Sequence, residues 1–185
     1  MPVATSHSTQ LYTVGRGILY IAEWNGDTAP SAGDFNDMGN AISIDVELTE
    51  DVMEHYTTRS GLKKKDKVVI IQSGYTVSFV LDEESIRNLR MWLKGTMSGS
   101  NVIMANTALN AEYALKFVSA NATGPNQTWE FWKAKVSPNG TFSLISDDWA
   151  QLSFTAEGLA DEAGHPTSQY FNVTFATTTT TTTAP

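Results

Sequence analysis

The sequence predicts a mainly β fold, a β-sandwich with one flanking α-helix, and three observations carry that prediction. Several segments alternate apolar and polar residues with period two, as strands with one buried and one wet face do. Clusters of Gly, Pro, Asn and Asp stand between them. A single stretch combines helix caps with helical spacing of its apolar residues.

Taken in order, residues 1–13 are polar and unpatterned and read as a flexible arm. Gly17–Trp24 (GILYIAEW) is rich in β-formers and reads as the first strand. Residues 25–40 hold Gly26, Pro30, Gly33 and Gly39 and read as a long loop. In Ala41–Thr49 the alternation is clean. Ile42, Ile44, Val46 and Leu48 should face a core, and Ser43, Asp45, Glu47 and Thr49 should face water. The next segment, Glu50–Lys65, holds Gly61 but no proline; it reads as a polar loop too long for a tight hairpin.

Lys67–Gln72 and Tyr75–Leu81 are two further strand candidates, with Ser73-Gly74 as a turn or bulge between them. The helix follows, with Asp82 as expected N-cap, Glu83 and Glu84 in the first turn, and Lys94-Gly95 closing it. Ile86, Leu89 and Leu93 would form its apolar stripe. After a short strand at 102–105, strands are expected at Glu112–Ser119, Gln127–Val136, Thr141–Ser146, Trp149–Glu157 and Tyr170–Phe175. Asn139-Gly140 is a hairpin signal between the second and third of these. Residues 1–176 thus read as one domain, and 177–185, with seven consecutive threonines, as a disordered tail that can bury no core.

Composition narrows the function. The chain of 185 residues is 41% hydrophobic and 17% charged, with 20 acids against 12 bases and a net charge of −8. A protein that grips DNA through its phosphates needs a basic face. Arg59, Lys63, Lys64, Lys65 and Lys67 form the one basic stretch, so tight DNA binding is not expected. No run of 18 apolar residues offers a membrane-spanning helix. The first ten residues have neither the basic start nor the apolar run of a secretion signal, and the lack of cysteine mildly favours assembly in a reducing cytosol.

Nothing in the sequence points to catalysis, a metal or a cofactor. His7, His55 and His165 have no second ligand at metal-binding spacing, and neither a nucleophile elbow nor a phosphate-binding loop occurs. The two charged features are more telling. Asp45 and Glu47 share the wet face of one strand. That face is either plain solvated surface or the wall of a channel that DNA must traverse without sticking, and Gln151, Ser153 and Thr155 could join it. The basic stretch is either an ordinary loop or a positive protrusion that meets an acidic neighbour and sets register between copies.

The quoted residues also carry a resemblance. Gly15-Arg16-Gly17-Ile18-Leu19-Tyr20, Gly39-Asn40 before the acidic strand, the segment Glu54-His55-Tyr56-Thr57-Thr58-Arg59-Ser60-Gly61-Leu62-Lys63-Lys64-Lys65-Asp66 and Asn88-Leu89 in the helix together resemble the pattern of siphophage major tail proteins. The matching motifs lie within residues 14–95. The resemblance implies a subunit that self-assembles as stacked six-membered rings into a tail tube. Each subunit would lend strands to an inner β-barrel around a channel for double-stranded DNA. It further implies that Glu54, His55, Tyr56, Arg59, Ser60, Lys63, Lys64, Lys65, Asp66 and Lys67, within residues 50–67, carry the stacking contact between rings. Tape-measure and tail-end proteins would be further partners, and the place would be the virion tail, assembled in the host cytoplasm. Two other readings stand beside it: a tube protein of a contractile tail or secretion machine, and a carbohydrate-binding β-sandwich with tryptophan platforms.

Overall fold

A computed structural model describes residues 11–59 and 61–176. The first ten residues of the predicted arm, Ser60 and the threonine tail lie outside them. The chain forms β1 (Gly17–Glu23), β2 (Asn36–Asp37), β3 (Ala41–Thr57), β4 (Lys64–Leu81), α1 (Ile86–Trp92), β5 (Thr96–Met97), β6 (Ile103–Met104), β7 (Tyr113–Ser119), β8 (Gln127–Pro138), β9 (Leu152–Gly158) and β10 (Phe171–Phe175). It is mainly β, with antiparallel pairing throughout and one short helix.

One eight-stranded sheet runs β2-β1-β7-β8-β9-β4-β3, with β10 added against β8. The sheet divides along β8. Residues 127–131 pair with β10 and residues 134–138 pair with β9. At that point the register with β7 slips between Tyr113 and Leu115, and such a bulge bends and twists a strand. Both branches bury their apolar residues in one core: Leu19, Ile21 and Leu115 from one, Val77, Phe79, Leu152 and Phe154 from the other, with Phe131 at the fork. Tyr75 closes its lower end. Its ring lies 5.2 Å from Phe131 and 5.4 Å from Phe171, and its hydroxyl donates to the Lys133 carbonyl at 3.0 Å. Burial pushes that phenol well above its ordinary range. Gly158 sits against the same ring, where even a Cβ would lie 2.2 Å from a ring carbon, so the strand must end on a residue with no side chain.

The helix differs from its prediction in two ways. Its N-cap is Ser85, whose hydroxyl accepts from the Asn88 amide, and Asp82, Glu83 and Glu84 precede the first turn. Its buried residues are Asn88 and Met91, while Ile86 is exposed. Asn88, 1% exposed, donates through its side-chain amide to the carbonyls of Met38 and Glu83 and ties the helix to the segment before β3. Lys94 in the left-handed region and Gly95 close the helix as expected. Replacing Ser85 with alanine should lower stability by about 1 kcal/mol. Urea unfolding of the two proteins checks this, and equal midpoints would contradict the cap.

Other elements shift as well. Ser73-Gly74 is no turn: β4 is continuous through it, and the register slips elsewhere, at Ala41/Ser43, Asp51/Val52 and His55/Tyr56. Thr141–Ser146 is not a strand. The tight hairpin expected at Asn139-Gly140 therefore does not form; β8 pairs instead with β9, across the connection 139–151. Gly140 there takes a positive φ of 84°.

Candidate functional site

The predicted loop 50–65 is instead the outer half of a two-stranded arm. β3 and β4 pair from Ala41↔Leu81 out to Thr57↔Lys64, whereas β9 accompanies β4 only from Thr76 to Leu81. Beyond Thr76 the two strands continue by themselves. Counted along β3 from Leu48 to Thr57, the projection is about 30 Å long at 3.3 Å per residue. Between Thr57 and Lys64 the chain turns round, helped by Gly61 at a φ of 84° and by its amide donating to the Thr58 carbonyl. Periodicity missed this because neither face of the arm is buried. A strand wet on both sides has no reason to alternate.

The arm is not polar throughout. Leu48, Val52, Met53, Tyr56, Val68, Val69, Ile70 and Ile71 are all exposed on it. The cross-strand register puts Val52 opposite Ile70 on the side that continues the core face, and Met53 opposite Val69 on the other. The expected buried row on β3 fares no better. Ile44 packs partly against the core, but Ile42, Val46 and Leu48 are exposed because β3 is the edge of the sheet and none of the described residues covers it. An isolated two-stranded ribbon is marginal in water, and a continuous apolar surface of this kind marks an interaction site.

Charge is concentrated near the tip. Glu54 receives hydrogen bonds from the Lys65 ammonium and, at 2.5 Å, from the Tyr56 hydroxyl, so its carboxyl titrates below the usual range, the lysine above its own and the phenol above its own. His55 Nδ1 lies 2.6 Å from Asp66. The Lys65–Glu54 and His55–Asp66 links cross the ladder and stiffen it. Arg59, Lys63, Lys64 and Lys67 remain exposed without an ion pair among the described residues. Of the ten residues predicted for the stacking contact, the structure thus gathers nine on the outer arm, and Ser60 lies outside the described residues.

The second predicted surface is also assembled. Across the strands, Asp45 pairs with Ser78, which pairs with Thr155, which pairs with Ser137. One row along, Glu47, Thr76, Glu157 and Lys135 follow one another, and in the next Ser43, Val80 and Ser153 do. The face of β3, β4, β9 and β8 away from the core is therefore mostly acids and hydroxyls, with Val80 and Lys135 among them and the Lys94 ammonium donating to the Ser137 hydroxyl at 2.9 Å. Asp45, Glu47 and Ser153 belong to it, while Gln151 lies just ahead of β9, outside the ladder.

A third feature escaped the sequence reading. Tyr20, Trp24, Phe35, Trp132, Lys116 and Glu130 line a cavity of about 500 Å³ beneath the β1–β2 connection. Its tryptophans are already engaged. Trp132 stacks on His165 with ring centres 3.6 Å apart, and the Lys133 ammonium sits 4.8 Å over Trp24. Asp161 accepts from His165 at 2.8 Å; burial opposes its ionisation, yet that bond and one from the Gly164 amide hold its carboxyl below the usual range. No group of three His, Asp or Glu side chains able to hold a metal occurs among the described residues.

Comparison with known proteins gives three findings. A family model described as "Protein of unknown function UCP028589" matches residues 12–101 and 96–174. No curated protein matches the chain. Among solved structures, a chain of the PVC sheath-tube complex of an extracellular contractile injection system in the extended state is similar at 14% identity and a TM-score of 0.37, over 85% of this chain and 88% of that one. A chain of the PVC sheath/tube terminator in the extended state is similar at 14% identity and a TM-score of 0.36, over 94% and 100%.

Proposed function

We propose, from the premise that the chain belongs to the family described as "Protein of unknown function UCP028589", that it is a structural tail-tube subunit without catalytic activity. The β3–β4 arm carries this reading. An arm about 30 Å long with apolar residues on both faces has no third strand beside it among the described residues, and another copy is the partner that a self-assembling subunit always has at hand. The motif resemblance to siphophage major tail proteins points the same way, and it supplies the finer terms: six-membered rings, a stack held by the arm, and passage of double-stranded DNA. Tape-measure and tail-end proteins would meet the tube at its ends, and the protein's place is the virion tail. Sedimentation over a concentration series tests the self-association. The subunit should pass into large polymers, and one that stays monomeric at every concentration contradicts the reading.

Within it, the polar face of β3, β4, β9 and β8 forms the channel wall. Acids and hydroxyls repel the phosphate backbone weakly, whereas a lysine-rich wall would release counterions and hold the polymer. Replacing Asp45 and Glu47 with lysine should leave subunits that assemble yet slow DNA ejection several-fold, read in single-particle ejection assays; unchanged kinetics would remove the wall assignment. The alternative of a carbohydrate-binding module has the tryptophan cavity in its favour, but Trp24 and Trp132 each present one ring face to a neighbouring side chain instead of a sugar. Tryptophan fluorescence of the monomer that responds to glycans would favour that alternative.

A further inference from the structure

The connection 139–151 presents three large apolar side chains almost wholly to solvent: Leu144 at 86%, Ile145 at 95% and Trp149 at 89% exposed. It is nonetheless held in shape. Phe142 anchors it on the core beside Trp92, with ring centres 5.9 Å apart. The Ser143 hydroxyl donates to the Ile145 carbonyl, and the Asp148 amide donates to the Ser146 hydroxyl, each at 3.0 Å. A fixed loop that displays Trp, Leu and Ile at such exposure is built like an interface centre, where buried aromatic anchors dominate binding. Asp147 and Asp148 stand among them, exposed and without a base inside the connection.

Position and charge identify the occupant. The connection lies at the Leu81 end of β4, since Leu152 pairs with Leu81 and Pro138 with Phe154. The arm tip lies beyond Lys64, at the opposite end of the same strand. About 55 Å of strand path separates the two at 3.3 Å per residue. One end of the subunit is thus a projecting basic tip flanked by apolar residues, and the other holds an acidic, apolar loop. Surfaces that complement each other from opposite ends of one molecule form a heterologous contact, which repeats without closing and builds a filament.

We infer that the 139–151 connection of one copy receives the arm tip of the next, with Leu144, Ile145 and Trp149 against the arm's apolar residues and Asp147 and Asp148 against Arg59, Lys63 and Lys64. The inference rests on the tail-tube reading and names the surface on which successive rings meet.

The chain has no cysteine, so introduced pairs report cleanly. A chain carrying Lys63→Cys and Asp148→Cys, oxidised at high concentration, should give a ladder of disulfide-linked multimers. Lys63→Cys with Thr123→Cys, an exposed position at the arm's own end of the sheet, should give none. Separately, Asp147→Lys with Asp148→Lys should raise the concentration needed for polymerisation at least about tenfold, and adding Lys63→Glu with Lys64→Glu should restore it. A missing ladder, or polymerisation of the double lysine variant at the wild-type concentration, overturns this contact. Where the wild type still forms tubes, either result removes the contact alone. A wild type that does not assemble removes the tail-tube reading along with it.

Discussion

A subunit whose arm is cut back to Met53 and Val69, with residues 54–68 replaced by Asn-Gly, should fold normally and form no tubes. Met53 and Val69 are direct cross-strand partners, so a two-residue turn can close the ladder at that pair. None of the removed residues belongs to the buried core. The melting temperature should therefore stay within about 2 °C of wild type, as exposed changes seldom exceed 0.5 kcal/mol. Assembly should be lost altogether, because the deletion takes the whole basic tip and with it the exposed Tyr56, Leu62 and Val68. Thermal unfolding and sedimentation of the same sample separate the two effects. Tubes formed at the wild-type concentration would contradict the role given to the arm.

Phe79→Ala should do the reverse and damage the subunit itself. Phe79 is fully buried and stacks on Phe154 with ring centres 4.9 Å apart and planes 18° apart. It stands opposite Ile44 on one neighbour and Phe154 on the other, so truncation opens a void where β3, β4 and β9 meet. The cost should be about 3–5 kcal/mol, the transfer energy of the ring plus the cavity left behind. For a chain of this size that lowers the melting temperature by about 10 °C or more. Leu48→Ala, four residues further along β3 and exposed, should change subunit stability by less than about 0.5 kcal/mol. If Phe79→Ala melted with the wild type, the core would be misplaced.

The contrast between these two residues explains how much the sequence could tell. Where a strand buries one face, alternation locates it: β1, β7, β8 and β10 fall within two residues of their predicted bounds. Where burial is absent, alternation says nothing about pairing. Residues 50–65 therefore read as a loop, although their backbone is paired out to Thr57↔Lys64, and only Lys67–Gln72 of the outer arm reads as a strand. Its inner part misled in the opposite sense, since Ile42, Val46 and Leu48 alternate as if covered while the subunit alone leaves them exposed. The same logic explains Leu144 and Ile145, whose apolar, β-prone run suggested a strand but serves no core of its own chain. At the helix, Asp82 is as good a cap by type as Ser85, and only the fold decides between them, because Asn88 must reach Met38 and Glu83. Residues 54–67 and the wet face with Asp45 and Glu47 were legible as candidates because charge sorting shows in one dimension. The rows that join Asp45 to Ser78, Thr155 and Ser137 depend on strand order, which no spacing rule supplies.

Self-assembly into a hollow tube is the claim on which the rest depends, and negative-stain electron microscopy of the purified protein across a concentration series tests it most directly. Stacked rings or hollow tubes that lengthen as concentration rises are the expected result. Single small particles at every concentration would contradict it.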